Sequence, residues 1–306
     1  MTTGLNYFIY MSLFIERLKV GQVPTPEEMR DHLLEIHHQH PGFTEAFATR
    51  CFTSDGKTSY HLLADYVNQD SDQTLLDLAC GSGVLTEMCL ERLNSRGSII
   101  AVDMCPDELG LARQRIHSDK VSFRCSLAED LHVKSCSVDL ALCHWALTLM
   151  KPVDLVLKEI ARVLKPNGVF SAIVDPFDHN VPIYDAFSEI VDESVNREVP
   201  LFLQVGLGDA RVKSIEALQV LCEEILGPHA VFENSNYIVS IHGEPEHLVN
   251  EIMAFYYAVY LLSDIEQDVV RRKGIKLLKQ HSRHNGCARF DMPFSRITLK
   301  NSTDML

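Results

Sequence analysis

Residues 74–86 read Thr74-Leu75-Leu76-Asp77-Leu78-Ala79-Cys80-Gly81-Ser82-Gly83-Val84-Leu85-Thr86, a short apolar strand that ends in a small-residue turn and enters a helix. Gly81 and Gly83 carry no side chain, so the backbone can turn tightly there and a ligand can lie against it. A nucleotide-type cofactor is the expected occupant. A dinucleotide fingerprint needs a third glycine at position 86, where this chain has Thr86. No Lys-Ser/Thr pair follows the glycines, so a P-loop is not supported either.

A second strand ends in a carboxylate at the distance that a cofactor ribose requires. It is Ser98-Ile99-Ile100-Ala101-Val102-Asp103, and Asp103 lies 20 residues after Gly83. A carboxylate at the tip of this strand can accept hydrogen bonds from both hydroxyls of a ribose. The two strands together therefore predict a ribose-bearing cofactor.

Four ordered pieces of the chain resemble the class I S-adenosylmethionine-dependent methyltransferases, in particular those that act on small molecules. They are Asp77-Leu78-Ala79-Cys80-Gly81-Ser82-Gly83, Ala101-Val102-Asp103, Ser137-Val138-Asp139-Leu140-Ala141-Leu142-Cys143 and Glu159-Ile160-Ala161-Arg162-Val163-Leu164-Lys165-Pro166-Asn167-Gly168. The pieces cover roughly residues 57 to 176. The resemblance implies an α/β fold with a doubly wound, mostly parallel, seven-stranded Rossmann-like sheet whose last two strands form an antiparallel edge.

The resemblance also implies a set of residues that bind S-adenosyl-L-methionine: Asp77, Ala79, Gly81, Gly83, Asp103, Met104, Ala128, Glu129 and His144. Asp77 is implied to contact the methionine end of the cofactor, although capping of the following helix would explain it as well. The family often carries an Asp where this chain has Leu127. The adenine amino group is therefore left to Glu129, to a backbone carbonyl or to water, with Ala128 as a backbone contact.

Two aromatic residues directly follow the fourth predicted strand, where the methyl group of the cofactor should project. His144 is a candidate catalytic residue that could act as a general base or orient the substrate. A histidine that only packs beside the cofactor is the alternative. Trp145, the only tryptophan, is a candidate wall of the substrate pocket or a core residue.

Further candidates for the substrate site lie at the end of the fifth strand and in the N-terminal part. Asp175 could face the substrate as a second catalytic residue, or serve a turn. Tyr60 and the aromatic residues Tyr7, Phe8 and Tyr10 could line a lid, although a helix packing face explains them as well.

Histidine and cysteine patterns predict neither a metal site nor a disulfide framework. In His37-His38-Gln39-His40, adjacent histidines point in different directions, and no Cys or carboxylate set completes four ligands. The nine cysteines are an odd number without a C-x-x-C pair, which favours a reducing, cytoplasmic location. The N-terminus lacks the basic region of a signal peptide, and no stretch of about 18 apolar residues is present.

The charge balance bears on the partners of the protein. Asp and Glu total 42 against 28 Lys and Arg, a net charge of −14, and no basic block offsets it. Nucleic-acid and anionic-membrane partners are therefore disfavoured. We expect a small-molecule substrate, and a homodimer is compatible with these features.

The 306 residues divide by composition into four parts. They are a helical prefix or lid at 1–56, a cofactor-binding core at 57–179, a helical insertion over the substrate site at 180–235 and a part that completes the sheet at 236–306. Thr25-Pro26-Glu27-Glu28 predicts a capped helix that ends near His40. The remaining strands are expected at 121–125, 138–143, 169–174, 236–241 and 289–299, with a helix at 152–164 closed by a turn at 165–168.

These features predict methyl transfer to a small, buried acceptor such as an amino acid or a specialised metabolite. The sequence leaves N-, S- and O-acceptors open and shows no decisive base, which slightly favours an amine or a thioether. The alternatives are a protein methyltransferase and a non-catalytic partner subunit that binds the cofactor, with a dehydrogenase third. Cys143-His144-Trp145-Ala146 stands where base and glutamine-amide methyltransferases carry N/D-P-P-Y/F.

Overall fold

A seven-stranded sheet forms the centre of the molecule in this computed structural model, which describes residues 12–227, 230–282 and 286–300. Its strands are β1 (Thr74–Leu78), β2 (Ser98–Asp103), β3 (Val121–Cys125), β4 (Val138–His144), β5 (Leu164–Val174), β6 (Val231–Gly243) and β7 (Ala288–Lys300). Their order is β3-β2-β1-β4-β5-β7-β6. The five neighbouring strands β3, β2, β1, β4 and β5 are parallel to one another, and β7 is antiparallel to both of its neighbours, β5 and β6. The predicted sheet, with its antiparallel edge, is confirmed.

Helices cover both faces of the sheet and extend beyond it. Those before β1 are α1 (Leu13–Lys19), α2 (Pro26–Gln39), α3 (Phe43–Ala48) and α4 (Ser59–Ala64). Those between the parallel strands are α5 (Val84–Arg92), α6 (Pro106–Arg115) and α7 (Val153–Val163). Three more, α8 (Pro182–Glu198), α9 (Phe202–Val205) and α10 (Ile215–Leu226), lie between β5 and β6, while α11 (Pro245–Phe255) and α12 (Asp264–Gln280) precede β7. Short 3-10 helices occur at Leu147–Leu149, Ala210–Lys213 and Tyr257–Leu261.

The strand order opens a crevice at one edge of the sheet. The chain runs outward from β1 to β3 on one side and returns to β4 on the other, so the connections leave β1 and β4 in opposite directions. Ligands of open α/β sheets bind beyond the carboxyl ends of the strands at such a reversal. The glycine turn after β1 lies at this point.

Helix α2 begins at Pro26, with the predicted capping box. The Thr25 side chain accepts from the backbone N–H of Glu28, and the Glu28 side chain accepts from the backbone N–H of Thr25. The helix buries Met29, His32, Leu33 and Ile36, a spacing that presents one face to the core. It packs against α6 and so lies close to the crevice.

Several boundaries differ from those predicted. Residues 165–168, expected as a turn, belong to β5, where the pairing with β4 shifts register and Asn167 has φ 63°. Helix α7 correspondingly spans Val153–Val163 rather than 152–164. Strand β6 begins at Val231 and not at 236, because β7 offers backbone partners along its full length, up to Lys300. The four-part division itself stays a prediction, and Tyr7, Phe8 and Tyr10 lie outside the described residues.

No helix within residues 12–227, 230–282 and 286–300 combines the length and apolar character needed to cross a membrane.

Gly83 and Gly110 provide a matched test of the glycine turn. Gly83 has φ 86°, and a Cβ placed there would lie 3.0 Å from the Cβ of Ala112 on α6. We expect Gly83→Ala to lower the free energy of unfolding by about 2–4 kcal/mol, because left-handed strain and overpacking add. Gly110 lies within α6, and in the described part of the chain a Cβ there would meet no atom within 4 Å. Gly110→Ala should therefore stabilise by about 0.5–1 kcal/mol in the same urea titration. Equal midpoints for the two variants would contradict this packing.

Candidate functional site

A cavity of about 150 Å³ opens beyond the carboxyl ends of β1, β2 and β4. Helices α2, α3 and α6 and the Tyr257–Leu261 turn complete its walls. Most of the residues predicted to bind a cofactor line it: Asp77, Ala79, Gly81, Asp103, Met104, Ala128, Glu129 and His144. Gly83 is not part of this lining, and its backbone conformation and close approach to Ala112 give it a structural role in the turn.

Asp103 joins the turns that follow β1 and β2. Its Oδ2 accepts from the backbone N–H of Gly81 at 2.8 Å, and its Oδ1 accepts from the backbone N–H of Cys105 at 2.8 Å. Each carboxylate oxygen has a further lone pair, so the group can still accept ribose hydroxyls. Burial raises the pKa of Asp103, while the two backbone donors oppose that rise.

Ala79 (φ 56°) and Gly81 (φ 52°) both have left-handed backbone conformations in the turn that follows β1.

Asp77 lines the cavity and carries a buried carboxylate oxygen that has no partner among the residues the structure describes. Thr86 Oγ1 donates to Asp77 Oδ2 at 2.5 Å, while Asp77 Oδ1 has no hydrogen-bond partner among the described residues. Burial raises the pKa of this carboxyl to about 7, and the charge of Asp103 adds to the rise. The group is suited to an ammonium or sulfonium ligand. Thr86, at the position of the missing third glycine, orients it.

The predicted adenine end of the cavity is formed by the loop after β3. Leu127 and Ala128 line it, and Glu129 Oε1 accepts from Arg30 Nη1 at 2.9 Å. This ion pair connects α2 to the loop across the mouth of the cavity. Glu129 thus already has a cationic partner, which leaves backbone groups as the simpler contacts for an adenine.

Helices α2 and α3 cover the cavity through polar contacts that the sequence did not reveal. His37 Nδ1 lies 2.9 Å from Glu108 Oε1, and His37 Nε2 lies 2.9 Å from Tyr257 Oη. Glu45 accepts from the hydroxyl of Ser82 in the glycine turn. The His37–His40 run was the only sequence signal for this wall, and its metal interpretation was rejected. Among the described residues no group of His, Cys, Asp and Glu could hold a metal ion.

His144 is held in a neutral, packed position. Its Nε2 lies 2.8 Å from Ser59 Oγ, and its ring stacks on Tyr60 with centroids 3.8 Å apart. Burial lowers the pKa of the imidazole to about 3. His144 is therefore a weak proton acceptor at neutral pH, and the geometry favours its packing and orienting role. Tyr60, predicted as a substrate contact, lines the first cavity.

A second cavity of about 240 Å³ adjoins the first. The two share the wall residues Thr44, Trp145, Leu149 and Tyr257. The second cavity is largely aromatic, with Asp175 and Lys213 as its charged residues. Asp175 exposes its surface to this cavity, and the surrounding protein raises the pKa of its carboxyl while Lys213 opposes the rise. The predicted substrate residues Trp145 and Asp175 thus lie in one cavity.

Trp145 separates the two cavities in a strained conformation. Its φ is 57°, and its buried Nε1 lacks a hydrogen-bond partner within the part of the chain that the structure describes. A buried indole N–H normally finds an acceptor, so this orphan donor is suited to a ligand in either cavity.

The chain contains a methyltransferase domain, which supports the predicted resemblance to the class I S-adenosylmethionine-dependent methyltransferases. Its residues 76–172 match the model of the family described as Methyltransferase domain. Demethylmenaquinone methyltransferase of Symbiobacterium thermophilum is 26% identical over 153 residues, which are 49% of this chain and 61% of that protein. The 2-phytyl-1,4-naphtoquinone methyltransferase of Nostoc sp. is 33% identical over 138 residues, 44% of this chain and 59% of that protein. The chain thus spans about three fifths of the length of these curated relatives.

Among solved structures, the YcgJ protein of Bacillus subtilis has the same fold. It aligns with a TM-score of 0.52 and 16% identity, covering 80% of this chain and 99% of that one.

The raised pKa of Asp77 predicts a pH-dependent stability. An acid whose pKa is higher in the folded than in the unfolded chain contributes stability that is lost as pH rises, here from about 3.8 to about 7. Asp77→Asn removes this contribution. The free energy of unfolding of the variant relative to the unmodified protein should therefore rise by up to about 1.4 kcal/mol per pH unit in that range. Urea titrations at several pH values measure the difference. If the free energies of unfolding of the two proteins changed in parallel with pH, a protonated Asp77 would be contradicted.

Proposed function

We propose that this chain uses S-adenosyl-L-methionine to methylate a small molecule. One observation carries the proposal: a cavity with Asp77 and Asp103 at its strand ends shares a wall with a second, aromatic cavity. The first has the hydrogen-bond acceptors that a nucleoside with a cationic amino-acid tail requires. The second gives an acceptor a place beside it.

The residues of the first cavity fit the cofactor. Asp103 would accept the ribose hydroxyls, the loop at Leu127 and Ala128 would flank the adenine, and the unpaired Oδ1 of Asp77 would accept from the ammonium group. Bound there, the cofactor supplies an electrophilic methyl group on a sulfonium. The protein then has to exclude water and align the acceptor, and the covering helices α2 and α3 suit both tasks.

A small acceptor is favoured over a protein side chain. The second cavity is walled by aromatic residues and adjoins the covered first cavity, whereas a protein substrate needs an open groove. The names of the two relatives specify quinones, which are also small molecules. A non-catalytic cofactor-binding subunit would not need the second cavity. A cytoplasmic location and a homodimer stay predictions.

Calorimetric titration with S-adenosylmethionine, S-adenosylhomocysteine and NAD tests the cofactor. We expect the first two to bind and NAD not to bind. Asp103→Ala should weaken binding of S-adenosylhomocysteine by about 100-fold, because charged hydrogen bonds to the ribose are lost.

Asp107→Ala is the matched control for that titration. Asp107 lies four residues further on, is exposed and contacts His38, and it is not part of the cavity lining. The control should bind as the unmodified protein does, and circular dichroism checks that both variants are folded. Binding of NAD alone would overturn the proposal, and normal binding by Asp103→Ala would overturn the assignment of the ribose.

A further inference from the structure

Three side chains that line the first cavity form a hydrogen-bonded series. Glu108 lies on α6, His37 on α2 and Tyr257 at the start of the Tyr257–Leu261 turn. Both steps, Glu108 Oε1 to His37 Nδ1 and His37 Nε2 to Tyr257 Oη, measure 2.9 Å. Three separate segments of the chain thus meet at one imidazole.

The hydrogen-bond partners fix the direction of the series. Glu108 is 2% exposed, and its Oε1 also accepts from the backbone N–H of Gly42 at 3.0 Å. An ionised carboxylate can only accept, so Nδ1 of His37 carries the proton that points to Glu108. Nε2 is then an acceptor, and the hydroxyl of Tyr257 donates to it.

Glu108 is equipped to stabilise a positive charge on His37. Its second oxygen, Oε2, is buried and finds no partner in the described ranges. A buried carboxylate with an unsatisfied oxygen gains from an adjacent cation, because the cation offsets its desolvation. Glu108 can therefore balance a proton that arrives at His37.

Tyr257 brings the series to the boundary of the two cavities. The residue lines both of them, together with Thr44 and Trp145. Burial and the charge of Glu108 raise the pKa of its phenol. A tyrosinate would therefore be costly, so the oxygen of Tyr257 can take a proton from a ligand only as it passes its own proton to His37.

We infer that the acceptor carries a proton that it must lose, on a hydroxyl or an ammonium group, and that Tyr257, His37 and Glu108 remove it. This inference rests on the proposed function and names the acceptor class and a base for it. The X–H bond of the acceptor breaks and its proton goes to Tyr257 Oη, while the proton of Tyr257 goes to His37 Nε2. The electron pair left on X forms the bond to the methyl carbon, and the sulfur keeps the pair of the broken sulfur–carbon bond. Glu108 balances the charge on His37 until the proton leaves to solvent.

Methyl transfer to a thioether would not require these three residues, since a thioether has no proton to lose. His144 cannot replace the series, because burial makes its imidazole hard to protonate and its Nε2 is already bonded to Ser59. Asp175 is the rival base, since its carboxyl faces the second cavity directly. The experiment must therefore compare Tyr257 with Asp175.

The test measures S-adenosylhomocysteine released in steady-state turnover. The acceptors are a panel of small phenols and of alkylamines that are protonated at neutral pH. Each is paired with the methyl sulfide of the same carbon frame. We expect turnover of a phenol or an amine and none of its sulfide. Tyr257→Phe and His37→Gln should lower kcat by about 100-fold or more with little change in KM. His37→Gln keeps an acceptor for Tyr257 but cannot take a proton, so it separates proton transfer from packing.

Tyr260→Phe is the matched control and should leave kcat unchanged. Tyr260 belongs to the same 3-10 turn, donates to the carbonyl of Ala254 and lies outside the described lining of both cavities.

The outcomes distinguish this inference from the proposed function. Failure of S-adenosylmethionine to bind overturns the proposed function. Binding with turnover of sulfides only, or with no phenol or amine turned over, overturns the acceptor class. Loss of kcat in Asp175→Asn with an unchanged kcat in Tyr257→Phe makes Asp175 the base and overturns the role of Tyr257.

Discussion

The carboxylate of Asp103 is the constraint on which the rest of the site depends. It accepts backbone N–H groups from the turns after both β1 and β2, so it fixes the distance between the two strand ends. The glycine turn can then hold its left-handed conformation against α6. Asp77, on the neighbouring strand, is positioned by Thr86 on the helix that this turn begins. One buried acid thus organises the cavity before any ligand arrives.

The sheet and the strand-end residues could be predicted from the sequence because their signals are local. A run of apolar residues, a carboxylate and two glycines within 13 positions leave few other folds for residues 74–86. The capping box of α2 is equally local, and the structure contains it as predicted. The predicted turn at 165–168 and the predicted start of a strand at 236 were wrong. Residues 165–168 and 231–235 both belong to strands, although their sequences are typical of a turn or a linker. Their pairing is determined by partners far along the chain.

The wall of the cavity could not be predicted for the same reason. Arg30, His37 and Glu45 lie before residue 57, outside the part of the chain that resembles the family. Their hydrogen-bond partners are 37 to 220 residues away along the chain. The histidine run, which does not predict a metal site, also gave no sign that His37 bridges Glu108 of α6 and Tyr257. Neither spacing nor residue type could reveal this bridge, since only the docking of α2 on α6 brings the partners together.

The wall that the two cavities share has a consequence for the binding of two ligands. Thr44 of α3, Trp145, Leu149 and Tyr257 line both cavities. Two ligands that fill the cavities would contact these same residues, so a shift of the wall caused by one ligand changes the contacts of the other. The affinities for the two ligands are therefore expected to be coupled, and by the same factor in both directions.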